Sequence, residues 1–209
     1  MPLPRRAPDQ KLNPELERLA YQMKVVRQDA EGLIIGLTEE QVKWRPGADR
    51  WSVAECYEHL NQTNRKMAEA LETSIRAGRQ ANQLSEGPFT YGFLSRYFLR
   101  IMEPPVKSRF KAPGAFVPQA NGKQWATILD DWRTTHDRLN GLVLEAQGLD
   151  LARIKTTSPA SSWIRYPLGI GFWIQAAHDR RHIWQAREVI NSAGFPKAAT
   201  APVTASQSA

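Results

Sequence analysis

Apolar residues along this chain recur at helical spacing in four long stretches, separated by connections rich in proline and glycine. The first stretch opens at Asn13-Pro14, asparagine as the cap and proline in the first turn. It carries Leu16, Leu19, Met23, Val26, Leu33 and Ile34, and Gly36 and the region around Gly47 end it. Ser52 followed three residues later by Glu55 is a capping box, and it starts a second helix predicted to reach about Ala77. Its apolar stripe is Val53, Tyr57, Leu60, Met67, Leu71 and Ile75. A short helix from about Tyr91 to Ile101 is stopped by Pro104-Pro105, and the proline-rich segment 104–121 is expected to be a loop. A third long helix is predicted from about Lys123 to Ala146, with Trp125, Leu129, Trp132, Leu139, Leu142 and Val143 inside. Residues 147–167 read as irregular, and a fourth long helix runs from about Gly169 to Ile190. No strand pattern and no repeat stands out. The expected architecture is all-α: a four-helix bundle with long connections over residues 12–192, preceded by a loose arm at 1–11 and followed by a disordered tail at 193–209.

Composition narrows the class. The 209 residues, 42% hydrophobic and 23% charged, suit one globular domain with a real core. No apolar run approaches the ~20 residues that span a bilayer. Arg5 and Arg6 lie near the start with no apolar stretch behind them, so no secretory leader is expected. The single cysteine, Cys56, rules out an intrachain disulfide and a cysteine-based zinc cluster; a reducing cytoplasm is the expected setting. A net charge of +7 is compatible with nucleic acid, an acidic surface or an anionic small molecule. The basic residues are scattered and follow no nucleic-acid-binding pattern, so a nucleic-acid partner is disfavoured.

The chemistry concentrates in the histidines. Of the four in the chain, His178 and His182 occupy one turn of the fourth helix. Side chains at i and i+4 point the same way, so both imidazoles can reach one metal ion. With His178 at zero on a helical wheel, Ile174, His178, His182, Gln185 and Val189 fall within about 40° of one direction. The stripe is polar in the middle and apolar at its ends, as a site inside a bundle requires. His59 belongs to the second helix, roughly 60° beyond the near edge of its apolar stripe, and is expected at the rim of the core near an open mouth. Three histidine ligands leave an open position, the arrangement of catalytic rather than structural zinc.

Two segments, Trp51-Ser52-x-x-Glu55-x-x-x-His59-Leu60 and His178-x-x-Arg181-His182-x-x-Gln185, resemble the two motifs of the DinB-like superfamily in order and separation, and the helical layout is similar over about residues 12–192. The superfamily consists of metal-binding four-helix bundles and includes thiol-dependent S-transferases. The resemblance implies that His59, His178 and His182 ligate one divalent ion, zinc or nickel, with water completing the shell. It implies thiol S-transfer, with a low-molecular-weight thiol as co-substrate, or metal-assisted hydrolysis of a small molecule. Many members carry glutamate after the first histidine of the second motif, where this chain has Asp179. That position is not a ligand.

Other residues have competing explanations. Glu55 is a candidate general base near His59, although its capping role accounts for it. Arg181 is placed to orient an anion or to form an outer salt bridge, and Gln185 to support a ligand from behind. His136 is a possible fourth ligand, but Asp137 and Arg138 beside it mark a wet face. Cys56 reads as a small buried hydrophobe. Trp173 and Trp184 lie about 120–140° from His178 and are assigned to core or dimer packing; Trp51 is assigned to stapling the helix start. Arg96, Arg100, Lys107, Arg109 and Lys111 flank the proline-rich loop; they are candidates to hold an anionic thiol cofactor or substrate carboxylates, but a solvated charged face is the favoured reading. His178-Asp179-Arg180-Arg181-His182 approaches the His-Glu-x-x-His protease motif, but its base is one methylene short and no downstream histidine follows. The alternative to an enzyme is a non-catalytic metal-binding or stress-response bundle acting through a partner, and a homodimer is compatible with the fourth helix.

Overall fold

In the computed structural model, residues 11–106, 114–118 and 122–197 are described here. Four long helices form the bundle: α1 (Pro14–Leu33), α3 (Val53–Gln80), α5 (Trp125–Glu145) and α6 (Leu168–Ile190), with the shorter α2 (Glu39–Lys43) and α4 (Phe93–Met102) between them. α3 packs on both α5 and α6, α1 crosses α5 and α6, and α4 lies against α6.

Side-chain caps start α1 and α3 where expected. The Asn13 side chain accepts from the Glu15 N–H, with Pro14 at the first helical position. The Ser52–Glu55 capping box is formed in both directions, Glu55 N–H to Ser52 Oγ at 3.1 Å and Ser52 N–H to Glu55 Oε2 at 2.8 Å. A second capping box, Thr38 with Gln41, starts α2. It breaks the 34–52 connection into a helical turn that the long-range apolar spacing does not reveal.

The core has two halves. Leu16, Leu19, Leu71, Ile75, Leu139 and Ile170 are among the residues of one, and Val26, Val53, Tyr57, Ile128, Trp132 and Ile183 among those of the other. Each fully buried aliphatic side chain contributes on the order of 2 kcal/mol of transfer free energy. On α6 the first half ends at Ala176 and the second begins at Ile183. His178 and His182 fall in that gap, so the polar stretch is set between two apolar anchors on one rigid helix.

The segment 147–167 is not wholly irregular. Strand β1 (Lys155–Ser158) pairs antiparallel with β2 (Ser161–Pro167), Thr156 opposite Tyr166 and Thr157 opposite Arg165, with an irregularity at Thr157/Ser158. Thr156, Thr157, Trp163, Ile164 and Tyr166 are β-branched or aromatic and favour the pleat. The pairing escapes a periodicity search because β2 does not alternate: Trp163 and Ile164 are both exposed, at 93% and 55%. The start of the expected tail is also ordered. Phe195 meets the Trp44 ring edge-on at 5.6 Å, and Gln41 Nε2 donates to the Pro196 carbonyl at 2.8 Å. The remainder of the tail, the arm through residue 10 and residues 107–113 and 119–121 of the proline-rich segment lie outside the described residues. No helix among the described residues is long and apolar enough to cross a membrane.

Candidate metal centre

α3 and α6 bring His59, His178 and His182 together, with one ligand atom from each lying within 4.8 Å of the others. The α6 pair has ring centroids 4.5 Å apart, and the His59 ring lies 4.3 Å from His182 and 5.2 Å from His178. His59 is buried rather than at an exposed rim, 4% accessible, yet it lines a cleft that opens above the cluster. His178 is half-buried and faces the same cleft.

The outer nitrogens are already committed. His59 Nδ1 lies 2.7 Å from the Phe116 carbonyl, which can only accept, so Nδ1 carries the proton. His182 Nδ1 lies 3.1 Å from Gln185 Oε1, and the same reasoning applies. In both rings Nε2 is left with a lone pair. His59 Nε2 and His178 Nε2 are 3.3 Å apart. Two ligands about 2.0–2.1 Å from a tetrahedral ion are separated by about 3.3 Å, so the spacing fits zinc-type coordination. The carbonyl and amide behind the rings provide the outer-shell support that fixes tautomer and orientation. The residues therefore fit a divalent ion.

Electrostatics favour neutral ligands. Burial, the neighbouring His59 ring and Arg181 push His178 down to about 3. Burial followed by the His178 and His59 rings takes His182 well below its ordinary value. Burial also lowers His59, with the Phe116 hydrogen bond opposing it. Neutral imidazole is the form that coordinates a metal.

Trp51 is part of the site, not only a staple for α3. Its ring stacks on His182 at 5.8 Å with a 25° interplanar angle, and lies 4.9 Å from the His59 ring. It covers one side of the cluster. Its position directly before the cap of α3 was the available signal. The Phe116 carbonyl had none, because it comes from the short turn Gly114–Phe116 inside the proline-rich segment.

Beneath the histidines, Gln175 Nε2 lies 2.7 Å from both Asn64 Oδ1 and Asp179 Oδ1, tying α3 to α6. Asp179 is fully buried, and burial pushes its carboxyl up to about 8. It turns into the helix interface and is absent from the cleft wall, which removes the geometric basis for a protease-like base.

The other candidates separate clearly. Glu55 is held by the Ser52 N–H and by Arg45, whose Nε donates at 2.8 Å, so its carboxylate serves the helix start. Arg181 and Gln185 line the cleft. His136 is not part of the cluster, and it is not on a wet face: it is 2% exposed, packed 5.3 Å from the Trp132 ring. The ring of Trp132 shields it where the adjacent charged residues point outward. Trp173 donates to Glu15 at 3.0 Å, consistent with core packing, whereas Trp184 lines the cleft. Cys56 is buried, and burial raises its thiol far above the reactive range. Arg96 and Arg100 are exposed on α4; Lys107, Arg109 and Lys111 lie outside the described residues.

A family model described as the DinB superfamily matches residues 22–186. The chain belongs to the DinB superfamily. The matched span of this DinB-superfamily chain contains Trp51, all three clustered histidines and Gln185. No curated protein and no solved structure matches it.

Proposed function

We propose that this DinB-superfamily chain is a divalent-metal-dependent enzyme that carries out thiol S-transfer or metal-assisted hydrolysis on a small molecule. The observation that carries the reading is the convergence of three neutral imidazoles, two oriented from behind by the Phe116 carbonyl and Gln185, at the floor of a cleft of about 1210 Å³. Three protein ligands leave a position for a reactant, whereas structural zinc sites are closed by four. An all-histidine set without thiolate suits zinc or nickel.

A divalent ion held there supplies Lewis acidity and eases deprotonation of a thiol or water. The chain's own residues do the rest. Phe116 and Gln185 hold the Nδ1 protons of His59 and His182, so Nε2 faces inward in both. Trp51 covers one side of the cluster. Arg181, on the cleft wall, offers a fixed positive charge to an anionic group on the reactant. In S-transfer the thiol sulfur forms the new C–S bond, the leaving group departs with the electron pair, and the thiol proton is released to solvent.

The test is turnover of chromogenic electrophiles and esters with a panel of thiols, using metal-loaded wild type and His178→Ala. Metal-dependent turnover that the variant loses, at unchanged helical content, is expected. Equal turnover in both proteins contradicts the reading. Metal binding without any turnover leaves the non-catalytic module as the better account.

A further inference from the structure

We propose that the cleft above the histidines takes an amphipathic small molecule with an elongated apolar body and one anionic group, the body lying along α4 and β2. This names the substrate class for the metal-dependent reading and rests on that reading for the reaction, but binding itself is measured without turnover.

The observation is the state of α4. None of its ten residues is buried. Yet Leu94, Tyr97, Phe98 and Ile101, at i, i+3, i+4 and i+7, form one apolar stripe that lines the cleft, and they are 78%, 53%, 44% and 37% exposed. Polar ties hold the helix in place. Glu103, just past its end, receives Arg180 Nε at 2.8 Å, and Tyr91, just before its start, donates to Glu15 at 2.7 Å. The stripe is therefore not spent on the core. Ile164 and Tyr166 of β2 line the same cleft, and Met67, Ile170 and Ile174 bring apolar surface from α3 and α6 towards His178. One continuous apolar surface thus leads from the mouth to the cluster.

The charges set the polarity of the ligand. Arg50, Arg165 and Arg181 line the cleft against Asp49 and Glu188. Arg181 shares the turn of α6 that carries His178 and His182, which puts a positive charge at the metal end. A divalent ion on neutral imidazoles increases that bias. The volume of about 1210 Å³ exceeds the roughly 300–1,000 Å³ of ordinary small-molecule sites, giving room for an extended body. The apolar surface is concave and ends at the histidines, so a ligand that fills it is favoured over a second copy that would only cap it.

The test is isothermal titration of zinc-loaded protein with hexanoate, octanoate and decanoate, and with decyltrimethylammonium as the cationic counterpart. Affinity is expected to rise about fourfold per added methylene. Decanoate is expected to bind at least tenfold tighter than the ammonium probe. The double variant Leu94→Ser/Phe98→Ser should flatten the chain-length dependence with only a small change in Tm, because neither side chain is fully buried. Arg50→Gln/Arg165→Gln should reduce the preference for the anion, with Arg181 and the ion supplying what remains. Affinity that ignores chain length, or survives Leu94→Ser/Phe98→Ser, overturns the proposal. So does a wild-type dimer that this variant converts to monomer without any alkanoate binding, because the stripe is then a self-association face. Chain-length dependence in a wild-type protein that shows no metal-dependent turnover supports this inference while the enzymatic reading fails. A metal-loaded, active protein that ignores alkanoates overturns this inference alone.

Discussion

Replacing His136 by leucine isolates one source of acid sensitivity in the bundle. The ring is 2% exposed on α5, and neither nitrogen has a hydrogen-bond partner among the described residues. Burial, with Arg27 adding to it, lowers its pKa from 6.5 to about 4. The unfolded chain therefore binds a proton near pH 6.5 that the folded chain refuses until about pH 4. Stability contributed by neutral His136 is full above pH 6.5 and is lost as pH falls between these values. At 1.36 kcal/mol per pKa unit, the loss amounts to roughly 3 kcal/mol by pH 4. Leucine has no proton to bind, suits a helix interior and removes two unsatisfied buried nitrogens. Urea unfolding followed by far-UV circular dichroism at pH 7, 5 and 4, on chelator-treated proteins, makes the comparison. Both proteins keep the same histidine cluster and carboxylates, so those contributions cancel. His136→Leu is expected to equal or exceed wild type at pH 7 and to retain roughly 3 kcal/mol more at pH 4. The same loss in both proteins between pH 7 and pH 4 would refute a buried neutral ring.

Two further outcomes are expected. Gln185→Ala removes the acceptor behind His182 and should weaken zinc affinity about 10- to 100-fold, measured by competition with a chromogenic chelator, with little change in apo stability. Gly78→Ala places a Cβ 2.3 Å from Ile154 Cδ1 and 2.9 Å from its Cγ1, inside a packed core, and should cost about 1–3 kcal/mol in urea unfolding; an unchanged midpoint would show that Ile154 moves aside freely.

Much of the bundle was legible because local and long-range signals agreed. Asn13-Pro14 and Ser52–Glu55 start their helices as chemistry demands, and each long helix buries its apolar stripe. The i,i+4 spacing of His178 and His182 is a property of one helix and needs no tertiary knowledge. Joining them to His59 did: periodicity places each helix face but not the contact between α3 and α6, and the family resemblance supplied it. Three features escaped for physical reasons. The β1–β2 hairpin is held by backbone pairing while Trp163 and Ile164 of β2 are both exposed, so no alternation marks it. His136 was misjudged because charged sequence neighbours say little about a ring tucked against Trp132. Trp51 reaches the histidines only because α3 and α6 converge beside the α3 cap.

The central claim is that His59, His178 and His182 hold one divalent ion, and metal content by elemental analysis, on wild type and His178→Ala after supplementation with zinc and nickel, tests it most directly. The expected result is about one ion per chain in wild type and none in the variant, with the two proteins equally helical. No ion in either protein, or equal ion content in both, would contradict it.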